Sequence, residues 1–147
     1  MADHLHNTPA PFVSRPGEGK RLPLTGLLKA SDKETTSGFE VIEYQGPLTP
    51  PPHVHREHDE AFYIVEGLFT FVLGRDEHPA PAGSLVFVPR GTRHGFTASD
   101  GASALLVVVP GGLEGFFVEL GAGLEAGRTS AEVRAALAGR YDSYPAD

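Results

Sequence analysis

The sequence predicts an all-β domain closed by short C-terminal helices. Three observations carry this. The 147 residues include 18 glycines and 13 prolines with no collagen-like period, the punctuation of many tight turns. Seven short runs of strand-forming residues recur between those turns, and no repeat of 20 to 50 residues is visible. Apolar residues make up 40% and charged residues 21%, ordinary values for a globular chain with one core.

The elements follow in order. Residues 1–20 are rich in Pro, Gly and small polar side chains and read as a flexible N-terminal arm. His4 and His6 share a face there and are expected to bind metal adventitiously at most. Residues 21–112 read as the barrel, with strands expected at 24–29, 39–44, 61–65, 68–73, 85–88, 94–98 and 103–109. Turn signals separate them: Gly46-Pro47 with the prolines at 50–52, Glu66-Gly67, Pro79 to Gly83, Pro89 to Gly91, and Asp100-Gly101. Gly67, Gly83 and Gly91 can supply positive φ at three of these turns. The run 104–109 is apolar at every position, so both faces of that strand call for cover, from the helices or from a second copy of the chain. A homodimer is the expected outcome.

Residues 113–147 read as a helical extension. Leu113, Phe116, Phe117 and Leu120 follow the i, i+3, i+4, i+7 spacing of one helix face. A second helix opens on Thr129 with Glu132 three residues on, a capping box, and Val133, Ala136 and Leu137 are its expected apolar face.

Composition removes several function classes. Nineteen acidic against twelve basic side chains give a formal charge of -7, with no basic stripe or basic helix face, so nucleic acid is not an expected partner. There is no cysteine, which leaves His and carboxylate as the available metal ligands and fits a reducing compartment. The opening stretch has no apolar h-region and the longest aliphatic run is too short to span a bilayer, so the expected location is cytoplasmic with no membrane association.

The chemistry concentrates in two segments. His53 and His55 stand two apart, so in an extended chain they face the same side and can hold one ion together, while Val54 faces away. Glu60 opens a strand whose alternate positions Phe62 and Ile64 share its face. His94 follows the Pro89–Gly91 turn and can complete the site from the opposite wall. Three imidazoles and a carboxylate suit one divalent transition ion per chain, Fe, Mn, Ni, Co, Cu or Zn, with open positions for a chelating small-molecule substrate, or for one substrate atom beside dioxygen. Phe62, Ile64, Phe87 and Phe96 are candidates to line a substrate pocket, although the same pattern serves a plain packed core. His58 is expected to be exposed in a turn, His78 solvated before Pro79, and Arg90 and Arg93 at the rim, where they can steer an anion or simply be solvated.

Segments 46–67 and 83–98 resemble the two sequence motifs of the cupin superfamily. Six residues separate Gly46 from His53 where the family pattern has five, and Ala98 stands in place of the usual terminal Asn; neither departure touches a candidate ligand. The resemblance implies a six-to-eight-stranded barrel of double-stranded β-helix type, a metal held by His53, His55, Glu60 and His94, and a homodimer. The segment 110–117 is also similar to the lead into the C-terminal helices of small single-domain cupins like the bacterial quercetin 2,3-dioxygenases. That likeness implies a metal-dependent dioxygenase acting on a flavonol-like or other chelating hydroxy-ketone, with Glu60 as general base. A non-catalytic, metal-dependent binding or sensing cupin, or a metal-dependent isomerase or decarboxylase, is the alternative, because this superfold hosts many chemistries.

Overall fold

A computed structural model describes residues 9–36 and 38–146; His4 and His6 lie outside the described residues. Eleven strands and two helices follow among them: β1 (Lys20–Leu22), β2 (Gly26–Ala30), β3 (Glu40–Tyr44), β4 (His53–Val54), β5 (Asp59–Glu66), β6 (Leu68–Leu73), β7 (Asp76–Pro81), β8 (Leu85–Val88), β9 (His94–Ala98), β10 (Ser103–Val109), α1 (Glu114–Glu125), α2 (Ser130–Tyr141) and β11 (Tyr144–Pro145). They form two antiparallel sheets, ordered β1-β2-β3-β10-β5-β8 and β11-β4-β9-β6-β7. None of the helices is long and apolar enough to cross a membrane.

Side chains alternate as a half-buried strand requires. Glu60, Phe62 and Ile64 of β5 point inward and pair in register with Val108, Leu106 and Ala104 of β10. Between the sheets Tyr44, Phe62, Phe69, Phe71 and Phe96 interlock, with ring centroids 5.0 to 5.9 Å apart. Such ring pairs add about 0.5–1.5 kcal/mol each beyond the area they bury.

The seven expected strands are present, four with the expected ends and three with shifted ones. The first begins at Gly26 rather than Leu24, because Leu24 sits in a turn with φ 57°. Four strands went unforeseen. Three of them, β1, β4 and β11, are two or three residues long, below the reach of any periodic pattern. The fourth, β7, carries Pro79 and Pro81 and was expected to be a turn. It lies at a sheet edge, where a missing N–H can face away from the neighbouring strand. His78 is exposed as expected, but on that strand.

Both helices form. Leu113 precedes α1 without a side chain able to cap it. Glu40 on β3 caps instead, its carboxylate accepting bonds from the N–H groups of Gly112 (3.1 Å) and Leu113 (2.9 Å) at the positive end of the helix. The capping box at α2 is complete, Thr129 and Glu132 each accepting from the other's backbone N–H. Its buried face differs from expectation: Ala136 is exposed, and Arg134 turns inward beside Val133 and Leu137.

Of the two covers expected for the outer face of β10, the helices do not supply one. Leu105 and Val109 remain 37% and 41% exposed, because the helices pack across the open end of the barrel, on β1 and β11, rather than on the outer sheet face.

Candidate metal centre

His53 starts β4, where its one backbone partner in β9 is His94 and its partner in β11 is Pro145. The proline-rich lead-in fits because residue 95 is glycine. A Cβ there would stand 2.9 Å from the Pro50 carbonyl oxygen and 3.1 Å from Pro51, an approach no other residue allows without displacement. His55 lies just past β4, and its carbonyl accepts a 2.6 Å bond from the N–H of Gly91 in the turn that leads to His94. The two motif segments are thus bonded to each other on both sides of the imidazoles.

The three rings converge. Ligand nitrogens of His53, His55 and His94 lie within 4.8 Å of one another, and all three side chains are buried. Each Nδ1 faces a backbone carbonyl: Pro51 for His53 (2.8 Å), Asp142 for His55 (2.7 Å) and Thr92 for His94 (2.8 Å). A carbonyl only accepts, so each Nδ1 donates its proton and each neutral ring keeps the lone pair on Nε2. This is the tautomer that a metal ligand needs, fixed by the outer partner.

Glu60 closes the set. Its Oε1 lies 3.0 Å from His55 Nε2 and its Oε2 3.1 Å from His94 Nε2. The His55 contact is off hydrogen-bond geometry, so that buried Nε2 has no hydrogen-bond partner. With every Nδ1 already donating, protons on the Nε2 atoms as well would require buried imidazolium ions. A cation among the three Nε2 atoms and the carboxylate satisfies the orphaned nitrogen and removes that requirement, so the residues present fit a divalent ion.

The electrostatics are strongly coupled. Burial, then the neighbouring His94 and His55, pushes the His53 pKa down to about 3. Burial opposes charge on His55 too, but the Glu60 carboxylate beside it and then Asp142 raise its pKa above the ordinary value. Burial works against ionised Glu60, and His55 and His94 outweigh it, holding the carboxyl well below its usual range.

Asp142 is a residue that sequence reasoning missed. It ends α2 in the left-handed region, at φ 54° and ψ 45°, with its carbonyl turned to His55. Its carboxylate accepts from the N–H groups of Arg56 (2.8 Å) and Glu57 (2.7 Å) and from His58 Nδ1 (2.7 Å). His58 is therefore part-buried and clamped rather than exposed in a turn. No local signal joins residue 142 to 55, since 87 positions separate them.

The imidazoles and Glu60 line a cavity with about 50 Å³ of free volume, room for a few waters. Phe62, Phe96 and Leu106 line it from the barrel, and Leu113, Phe116, Phe117 and Arg134 from the helices. Of the four expected pocket residues, Phe62 and Phe96 are on its wall. Ile64 is fully buried in the core away from it, and Phe87 is 59% exposed on the outer face, because Val86 and Val88 are the inward positions of β8. Arg90 forms a two-pronged pair with Asp59 at 3.1 and 3.2 Å, and Arg93 donates to the Gly74 carbonyl (2.7 Å); neither lines the cavity.

Comparison with known proteins agrees with this geometry. A family model described as the cupin domain matches residues 40–110. Quercetin 2,3-dioxygenase of Bacillus subtilis (strain 168) is 35% identical over 118 residues, 76% of this chain and 35% of that protein, so the chain spans about a third of its relative's length. Among solved structures, the nucleoside dehydratase Pac13 of Streptomyces matches with a TM-score of 0.57 and 20% identity, over 69% of this chain and 83% of that one. A protein from Planctomyces limnophilus matches equally, with a TM-score of 0.57 and 20% identity over 70% and 91% of the two chains. KdgF from Halomonas sp. has a TM-score of 0.51 and 22% identity over 56% and 76%. At these identities the structural likeness concerns the fold.

Proposed function

We propose, from the premise that this chain is a small cupin resembling quercetin 2,3-dioxygenase, that it is a metal-dependent oxygenase acting on a flavonol-like or other chelating hydroxy-ketone. The observation that carries the reading is the inward convergence of three Nε2 atoms and Glu60 on a cavity with largely apolar walls. One divalent transition ion per chain would be held by His53, His55, Glu60 and His94. When bound, it supplies a Lewis acid with positions left open for a substrate oxygen and dioxygen.

The chain's own residues do the rest. Glu60 is buried within the ligand set and would loosen its hold to take the proton from an enol hydroxyl at Oε1 or Oε2. Phe62, Phe96 and Phe116 offer ring faces and edges to a flat substrate and keep bulk water from it. The carbonyls of Pro51, Thr92 and Asp142 hold the three imidazoles in place throughout.

A second copy of the chain is the partner we assign to the outer face of the larger sheet. Leu105 pairs there with Tyr63, and Tyr63 with Leu85, while Val107 pairs with Ala61 and Ala61 with Phe87. These two adjacent rows form a largely exposed apolar face that runs to the β8 edge of the sheet, as a homodimer requires. A reducing, cytoplasmic location suits the absence of cysteine.

The test is oxygen uptake by metal-loaded protein with a flavonol and with smaller hydroxy-ketones. Uptake with product is expected in the wild type, and Glu60→Gln should keep part of its metal and lose turnover. Equal rates for the two proteins would remove the base role. Tight binding without uptake would make the protein a binding or sensing cupin, and product formed without oxygen an isomerase or decarboxylase.

A further inference from the structure

Arg134 stands outside the ligand set, and its surroundings are unusual for a cation. It lies in the middle of α2, is only 6% exposed, and lines the same cavity as the three imidazoles. Its Nε donates to Ser130 Oγ (3.0 Å), and its guanidinium carbon stands 5.5 Å from the centre of the Phe116 ring. No carboxylate pairs with it among the described residues. Burial alone acts on its charge, holding its pKa below the ordinary value.

A guanidinium at the wall of a largely apolar cavity, with no carboxylate beside it, is better matched by a bound anion than by water alone. We propose that Arg134 is an anion subsite, and that the ligand of this cavity carries a carboxylate at the end facing the helices. The inference rests on the reading of the cavity as the substrate site and narrows the substrate class.

Three features support it. With Nε committed to Ser130, the two terminal nitrogens remain to meet a carboxylate as a planar pair, the arrangement that guanidinium favours over ammonium. The charge balance points the same way, since a divalent ion with ionised Glu60 keeps one positive charge and Arg134 adds another. A ligand bearing an enolate and a carboxylate neutralises both. The walls between them are apolar, which strengthens each attraction.

The experiment compares two hydroxypyranones, comenic acid and kojic acid. They share the chelating hydroxy-ketone and differ in a ring carboxylate against a ring hydroxymethyl. Binding to zinc-loaded protein is followed by calorimetry for the wild type, Arg134→Met and Arg134→Lys. The expected result is that the wild type binds comenate about 30-fold more tightly than kojic acid, the worth of a charge-assisted hydrogen-bonded pair. The methionine variant should bind both within about threefold, with kojic acid unchanged, and the lysine variant should fall between. No preference in the wild type, or equal loss of both probes in Arg134→Met, would overturn the subsite and leave Arg134 a packing residue.

Should neither probe bind the wild type, the hydroxy-ketone reading fails by itself. The subsite is then judged on benzoate, which has no hydroxy-ketone. It should raise the melting temperature of the metal-free wild type and not that of Arg134→Met, and no difference would overturn the subsite.

Discussion

Replacing Asp142 with alanine should weaken metal binding from outside the ligand set. The substitution removes an acceptor of three hydrogen bonds, from Arg56 N, Glu57 N and His58 Nδ1, and puts alanine at φ 54°. The side chain keeps 12% exposure, so water recovers part of what is lost; about 1 kcal/mol per bond is a fair figure. The left-handed backbone costs alanine about a further 1 kcal/mol that aspartate tolerates better. A loss of roughly 3–4 kcal/mol corresponds to a melting temperature lower by about 10 °C.

The effect on metal follows from the carbonyl of the same residue, which orients His55. Loosening it should weaken metal affinity by about 10- to 100-fold, the usual consequence of losing an outer partner. Asp142→Asn keeps one acceptor oxygen and the left-handed preference, so it should lose about half as much stability. Thermal unfolding of the metal-free proteins and chelator competition on the loaded ones measure the two effects separately. Unchanged affinity in a destabilised alanine variant would refute the claim that Asp142 positions His55.

Other outcomes are expected. Glu40 has a folded pKa raised above its ordinary 4.5, chiefly by burial, against the pull of the Gly112 and Leu113 N–H groups. The folded protein therefore holds that proton more tightly than the unfolded chain. The stability this contributes is full below 4.5 and is lost as pH rises through the folded value. Urea unfolding of the wild type against Glu40→Gln should show a difference that moves in favour of the wild type as pH falls; the opposite slope would contradict the assignment. Metal should be released as pH drops through about 6 to 5, because ligation needs neutral imidazoles, and His55 takes the proton before His53. Full occupancy at about pH 4 would count against histidine ligation. Leu105→Lys should turn a dimer into a folded monomer in sedimentation equilibrium, and an unchanged mass would remove the outer sheet face as the interface.

The elements legible in the sequence are those set by local periodicity. Alternation placed Glu60, Phe62 and Ile64 on one face of β5, the heptad-like spacing marked α1, and Thr129 with Glu132 marked the start of α2. Facing was harder to read where alternation is absent. In 85–88 all four residues are apolar, so nothing told that Phe87 points out and Val86 in; the register with β5 decides it. The motif spacing brought His53, His55, Glu60 and His94 together. Their outer partners depend on tertiary closure, in which β11 pairs with β4 and delivers Asp142 to His55. Arg134 was hidden for the same kind of reason, since a basic residue beside Val133 reads as solvated until α1 places Phe116 over it. Arg90, the better sequence candidate for an anion, is taken by Asp59.

The central claim, a metal held by these four side chains, is tested most directly by elemental analysis of untagged protein purified without chelator, beside His94→Ala. About one equivalent of a divalent transition metal per wild-type chain and little in the variant is the expected result. No metal in either protein after reconstitution, or equal metal in both, would contradict the site.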